Sequence, residues 1–297
     1  PQSLIFLILI IVTKLSLTMN TPYINTSFLR GFSALVLSKG GNPSALYESV
    51  GLDKEIFLEE SLLIPSDKFI YLLEAAAREL DFPDVAMQLA QQQDMMILAP
   101  LGPMLHRCHN VSEALQVIMK YLRVLVSGYQ MDIQIQQDCL TLTFNVERPH
   151  IQELVQYQDY AMASAVSVLR STLGKSHPIR GCYFLRSERN QHRISEYARY
   201  YGCPVAFNCR TLSLTVDSSI LFQDIGNLIK QVDARVNRAL SFQNEGIVDQ
   251  VTKVISFSLA NGSSKIEDIV SSMNYSQRTL QRKLSEHNRS YSALLDS

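Results

Sequence analysis

Apolar residues recur at helical intervals through most of the first 130 positions. Between Ser27 and Leu37, Phe28, Leu29, Phe32, Leu35 and Val36 share one helical face. Gly40-Gly41-Asn42-Pro43 ends that helix in a turn, and Pro43 to Leu58 reads as two short helices broken at Gly51. Ile64-Pro65-Ser66 leads into a long amphipathic stretch bearing Phe69, Leu72, Leu73, Ala76 and Leu80. Pro83 marks a further helix start before Val85, Ala86, Leu89 and Ala90, because proline loses no intrahelical bond in a first turn. Val111-Ser112 opens the clearest stripe, formed by Leu115, Ile118, Met119, Leu122, Leu125 and Val126.

The period then drops to two. Met131, Ile133 and Ile135 alternate with polar residues, as do Leu140, Leu142 and Phe144, and Gln136-Gln137-Asp138 lies between the two runs, so a β-hairpin is expected. Residues 152–173 return to helix, 182–185 form a short strand candidate, 194–201 are helical, and Leu212, Leu214 and Val216 alternate again. Residues 19–223 therefore predict an α+β domain, with several helices around a small sheet. From Asp224 onward the period is helical throughout. Ile225, Leu228, Ile229, Val232, Val236 and Leu240 make a connecting helix over 224–243, and 244–297 read as all-α.

The N-terminal run Leu4–Val12 is apolar but far short of the roughly 20 residues a bilayer span needs. Residues 1–18 are read as a hydrophobic extension outside the fold, with patterned structure beginning after Met19; a short hydrophobic anchor is the alternative. No stable membrane association is expected. Hydrophobic residues form 46% of the chain and charged residues 19%, which supports a packed core and excludes wholesale disorder. A net charge of −1 excludes a globally basic nucleic-acid binder but leaves room for a local basic patch. Five cysteines, with no C-x-x-C pair, argue against a disulfide framework and for free thiols in a reducing, cytoplasmic setting.

Candidate chemistry is sparse over the first 223 residues. His106 and His109 flank Arg107-Cys108, but so few local ligands beside a cation do not make a metal site, and none is expected. Neither G-x-S-x-G nor G-x-G-x-x-G occurs, so no catalytic residue and no cofactor is assigned.

The informative stretch is Ser264 to Ser285. Ser264-Lys265-Ile266-Glu267 has the form of a capping box, and Ile266, Ile269, Val270 and Met273 bury one face of a short helix. Asn274-Tyr275 makes the turn and Ser276 is a good N-cap for a second helix. That helix buries Leu280 and Leu284 and turns Arg278, Gln281 and Arg282 outward. Two short helices joined in this way form a helix-turn-helix, whose second helix must carry long donors into the major groove. Arg bonds guanine bidentately and Gln bonds adenine, so Arg278, Gln281 and Arg282 are the candidate base readers. Ser276, Gln277, Lys283 and Arg289 are the candidate phosphate contacts. Residues 276–289 hold four cations against one acid, Glu286. A charged, solvated face of a helical bundle is the competing reading of the same pattern.

The wording Ile266-Glu267-Asp268-Ile269-Val270 through Ser276-Gln277-Arg278-Thr279-Leu280-Gln281-Arg282-Lys283-Leu284, followed by Ser290-Tyr291-Ser292-Ala293-Leu294-Leu295, resembles the first helix-turn-helix of AraC/XylS-type transcription regulators. Upstream, Leu101-Gly102, Ser112-Glu113-Ala114-Leu115, Tyr121-Leu122-Arg123 and Tyr201-Gly202-Cys203-Pro204-Val205-Ala206-Phe207 are similar to the arabinose-binding-type domain of one branch of that family. The resemblance implies an effector-binding regulatory domain over 19–223, a linker over 224–243 and a DNA-binding domain over 244–297. Family members carry two helix-turn-helix units, and only the first is matched here, with the joining helix beginning near Ser290. The implied partners are double-stranded promoter DNA and a small-molecule effector, with RNA polymerase and a second copy of the chain as candidates. The effector-binding residues are left unassigned. The alternatives are an effector-binding or dimerising remnant with weakened DNA binding, and an enzyme using an unrecognised site.

Overall fold

The computed structural model describes residues 21–53, 62–93, 97–98, 101, 105, 107–173, 179–226, 248, 251, 277–287 and 289–295. The expectations for residues 1–18, for the second half of the Pro43–Leu58 pair, for the first helix of the helix-turn-helix with Ser276, and for most of the 224–243 linker lie outside these residues.

The chain enters through a three-residue strand, β1 (Tyr23–Asn25), paired antiparallel with β2 (Leu63–Pro65) so that Ile24 faces Ile64. Neither strand was expected: each is too short to show alternation, and all of β1 is buried. The helix expected from Ser27 is also interrupted. Gly31 sits at φ +85°, a left-handed conformation that glycine adopts freely, and it divides a 3-10 turn at Thr26–Leu29 from α1 (Phe32–Ser38).

Helices α2 (Pro43–Ser49), α3 (Ser66–Glu79), α4 (Val85–Gln93) and α5 (Val111–Leu125) follow where the apolar periodicity places them. Asn110 caps α5: its Oδ1 accepts from Glu113 N at 3.0 Å, while Glu113 Oε2 reaches back to accept from His109 N at 2.8 Å. A short helix, α6 (Pro149–Gln152), precedes the long α7 (Val155–Leu173), so the helix expected over 152–173 starts afresh after Leu154.

A five-stranded sheet holds β3 (Tyr129–Gln136), β4 (Cys139–Val146), β5 (Ile179–Tyr183), β6 (Val205–Ala206) and β7 (Leu212–Asp217), in the order β3-β4-β7-β5-β6. Only β5 and β6 run parallel, and the segment joining them contains α8 (Gln191–Tyr201). The strand expected at 182–185 begins three residues earlier, at Ile179, and ends at Tyr183. In the expected hairpin, Gln137 at φ +54° makes the turn, and Ile133 faces Leu142. Alternation gives the sheet one apolar face, with Met131, Ile133, Leu140, Leu142, Phe144, Leu214 and Val216. Gln130, Asp132, Gln134, Thr141 and Thr143 occupy the other. The apolar face and the helices share one core, which extends to Ile225. All five cysteines are free, although Cys182 and Cys203 bring their Sγ atoms to 3.6 Å. No described helix is long and apolar enough to cross a membrane.

Two local features carry predictions. Gly128 follows α5 at φ +71°, and a Cβ there would stand 2.8 Å from Pro22 Cβ. Gly128→Ala is expected to cost about 1–3 kcal/mol from backbone strain and this clash, read as a lower melting temperature. An unchanged melting temperature would contradict the packing of Pro22 against this turn. At the far end of the sheet, Asp217 accepts from Ser219 N at 3.0 Å and from Arg180 Nη2 at 2.6 Å. These bonds, Ser219's foremost, hold its carboxyl at about 2, below the ordinary 3.8. A depressed folded-state value stabilises the fold above the ordinary value, and that contribution is lost as pH falls toward 2. An NMR titration should place the Asp217 midpoint near 2, and Asp217→Asn should flatten the acid limb of stability. A midpoint at the ordinary value would contradict the clamp.

Candidate functional site

A cavity of about 170 Å³ lies between the apolar face of the sheet and the helices that cover it. Three elements supply most of its wall by their own periodicity. Helix α5 presents Leu115, Ile118 and Leu122 at intervals of three and four. Helix α7 presents Tyr157, Ala161, Ser164, Ala165 and Val168 on one stripe. Strands β3 and β4 present Tyr129, Met131, Leu142, Phe144 and Val146. Phe28, Phe69 and Tyr160 also line it, with Phe69 edge-on to the Tyr160 ring at 5.0 Å. The side chains of Ala161, Ser164 and Ala165 on this stripe are short and leave space beside the sheet.

No charged side chain lines this cavity among the described residues. Two of its polar side chains, Tyr160 and Ser127, already have hydrogen-bond partners. Tyr160 Oη donates to Gln93 Oε1 at 2.5 Å, and Gln93 Nε2 donates to the carbonyls of Phe28 and Arg30. Ser127 Oγ accepts from Tyr23 N at 2.8 Å. Tyr157 differs: its side chain is buried and its Oη has no hydrogen-bond partner, and the neighbouring Ser164 Oγ makes no well-formed bond either. Burial pushes the Tyr157 hydroxyl well above its ordinary range. Burial, with Tyr157 nearby, does the same to Tyr129. Both phenols therefore stay neutral at any physiological pH.

A second polar cluster lies on the other side of α7. Asp159 is fully buried and accepts from Arg186 Nη2 at 2.9 Å and from Tyr197 Oη at 2.5 Å. The Arg186 guanidinium also lies 4.9 Å over the Phe207 ring and 5.1 Å over Tyr197. These bonds pin α7 to α8, with only Arg186 Nε left unpartnered, so the cluster reads as structural.

The C-terminal residues form α9 (Gln277–Glu286) and α10 (Tyr291–Leu295). In α9, Leu280 and Leu284 are fully buried, while Gln277, Arg278, Gln281 and Arg282 are exposed and Lys283 is partly so. Arg289 is exposed in the turn after α9, and Ser290 caps α10 by accepting from Ala293 N. Six of the seven residues singled out from sequence thus sit on or just after one short helix, and Ser276 lies outside the described residues. Arg282 Nη1 pairs with Glu286 Oε1 at 2.9 Å across one helical turn.

The helix face was legible from sequence and the cavity was not. Small residues at 161, 164 and 165 on one stripe of α7 were the one available signal. Of the His106–His109 group, Cys108 is buried and His109 is exposed, while His106 lies outside the described residues.

Comparison with known proteins adds the following. The family described as the arabinose-binding domain of AraC transcription regulator, N-terminal, matches residues 40–225. The HTH-type transcriptional regulator VirS of Mycobacterium tuberculosis, strain CDC 1551 / Oshkosh, is 23% identical over 267 residues, covering 88% of this chain and 78% of VirS. VirS of strain H37Rv gives the same figures. Among solved structures, the transcriptional regulator CdpR from Pseudomonas aeruginosa aligns over 75% of each chain, at 17% identity and a TM-score of 0.40.

Proposed function

The chain belongs to the AraC transcription regulators that carry the arabinose-binding N-terminal domain, and from that premise we propose that it is a sequence-specific DNA-binding protein whose DNA affinity is set by a small molecule held in the N-terminal cavity. The family is one of regulators, not enzymes.

The observation that carries the DNA reading is the division of α9 into two faces. Leu280 and Leu284 are buried while Arg278, Gln281 and Arg282 are exposed together. Arg278, Gln281 and Arg282 read base edges, and Ser276, Gln277, Lys283 and Arg289 contact phosphates. Arg282 must exchange Glu286 for a base. An exposed pair of this kind is worth about 0–1 kcal/mol, so the exchange is cheap. VirS, itself named an HTH-type regulator, supports the assignment. The effector acts by binding two states of the protein unequally, since a ligand with equal affinity for both shifts nothing.

Selection from a random duplex pool with the full chain tests this. A recurring sequence should emerge, bound about a thousandfold or more tighter than its scrambled counterpart, with affinity falling as salt rises. Equal binding of selected and scrambled duplexes would replace the proposal with the remnant reading, a ligand-binding or dimerising protein without useful DNA recognition.

A further inference from the structure

We propose that the cavity takes an uncharged, compact aromatic molecule bearing one hydrogen-bonding oxygen, a phenol-class ligand, and not a sugar or a carboxylate. This rests on the reading of the cavity as the effector site and specifies its chemistry.

Size comes first. A dry, apolar engineered cavity of about 150 Å³ accepts benzene, so one of about 170 Å³ accommodates a single ring with a short substituent. The wall then sets the polarity. Its lining includes the rings of Phe69, Tyr129 and Phe144 and no charged side chain among the described residues. A carboxylate there would be desolvated without a counter-charge. A pentose would bury several hydroxyls against aliphatic and aromatic carbon, each lacking a partner. Two residues of this lining carry buried hydroxyls without a partner, however, Tyr157 and Ser164. The Tyr157 side chain lines the cavity with its Oη buried just behind that surface, and a neutral phenol can both donate and accept. A single ligand oxygen satisfies it and fixes the ring's orientation.

The full-length wild type, Tyr157→Phe and Ala165→Phe are titrated by calorimetry and melting, without DNA, against 4-ethylphenol, ethylbenzene, 4-ethylbenzoate and L-arabinose. 4-Ethylphenol should bind the wild type at sub-millimolar concentration and raise its melting temperature. Tyr157→Phe should weaken 4-ethylphenol about 3- to 10-fold, the loss of one ordinary hydrogen bond, while leaving ethylbenzene unchanged. Ala165→Phe, which fills the space, should abolish both. The proposal is overturned if arabinose or 4-ethylbenzoate binds as tightly as 4-ethylphenol, if 4-ethylphenol does not bind, or if Tyr157→Phe leaves its affinity unchanged. Should Ala165→Phe fail to fold, the Tyr157→Phe comparison decides alone. With no DNA present, failure here leaves the DNA-binding proposal standing, and failure of the duplex selection leaves the ligand class standing.

Discussion

Alanine at Asp159 is expected to remove about 3–5 kcal/mol of stability, the usual consequence of stripping one partner from a buried ion pair. Asp159 has no exposed surface, and the Arg186 side chain retains only 10%. Burial pushes the Asp159 carboxyl up, against the opposing pull of Arg186 and the Tyr197 hydroxyl. Its removal leaves a guanidinium enclosed by Phe184, Tyr197 and Phe207 with its nearest counter-charge gone, and Arg186 Nε is already unpartnered. Glu188, at 3.9 Å from Arg186 Nη1, remains as a longer and weaker partner. The double change Asp159→Ala with Arg186→Met removes both charges and should be less destabilising than Asp159→Ala alone. Denaturant unfolding of the two single variants and the double variant reads this. Additive losses would show that the pair is not coupled.

Alanine at both Arg278 and Arg282 should cost about 2–6 kcal/mol at the cognate duplex, from about 1–3 for each base-reading arginine. That is a loss of about 30-fold to more than ten-thousandfold in affinity. The same variant should bind scrambled DNA with a much smaller loss, because non-specific binding draws on phosphate neutralisation. Lys283→Ala should behave oppositely, weakening all sequences alike and reducing the salt slope by about one. Leu280 and Leu284 hold the helix independently of these side chains, so folding should be unaffected. Equal losses on cognate and scrambled DNA would remove Arg278 and Arg282 from base reading.

The elements that were legible in the sequence are those whose burial follows their own period. The stripe Leu115, Ile118, Leu122 announces α5, the alternation of Met131 to Phe144 announces the hairpin, and the spacing of Leu280 and Leu284 alone puts Arg278, Gln281 and Arg282 on the opposite face. Strands β1 and β2 escaped because three residues are too few to carry a period. Ile24 is fixed by partners distant in sequence, Ile64 and Val126. Gly31 reads as a tolerable helix residue until its left-handed backbone is seen. The cavity is harder still. It is space left where α5, α7 and the sheet meet, and the vacancy at Tyr157 Oη is a missing contact, which no pattern of residue types records.

Fluorescence anisotropy of the selected duplex joins the two sites in one titration. Wild type and Ala165→Phe are each titrated onto the labelled duplex with and without saturating 4-ethylphenol. Effector control requires the ligand to shift the DNA affinity of the wild type about 5- to 150-fold, the usual range of coupling between sites. It also requires no shift in Ala165→Phe, whose cavity is filled while α9 is untouched. An unchanged DNA affinity in wild type that calorimetry shows to be ligand-bound would contradict control through this cavity.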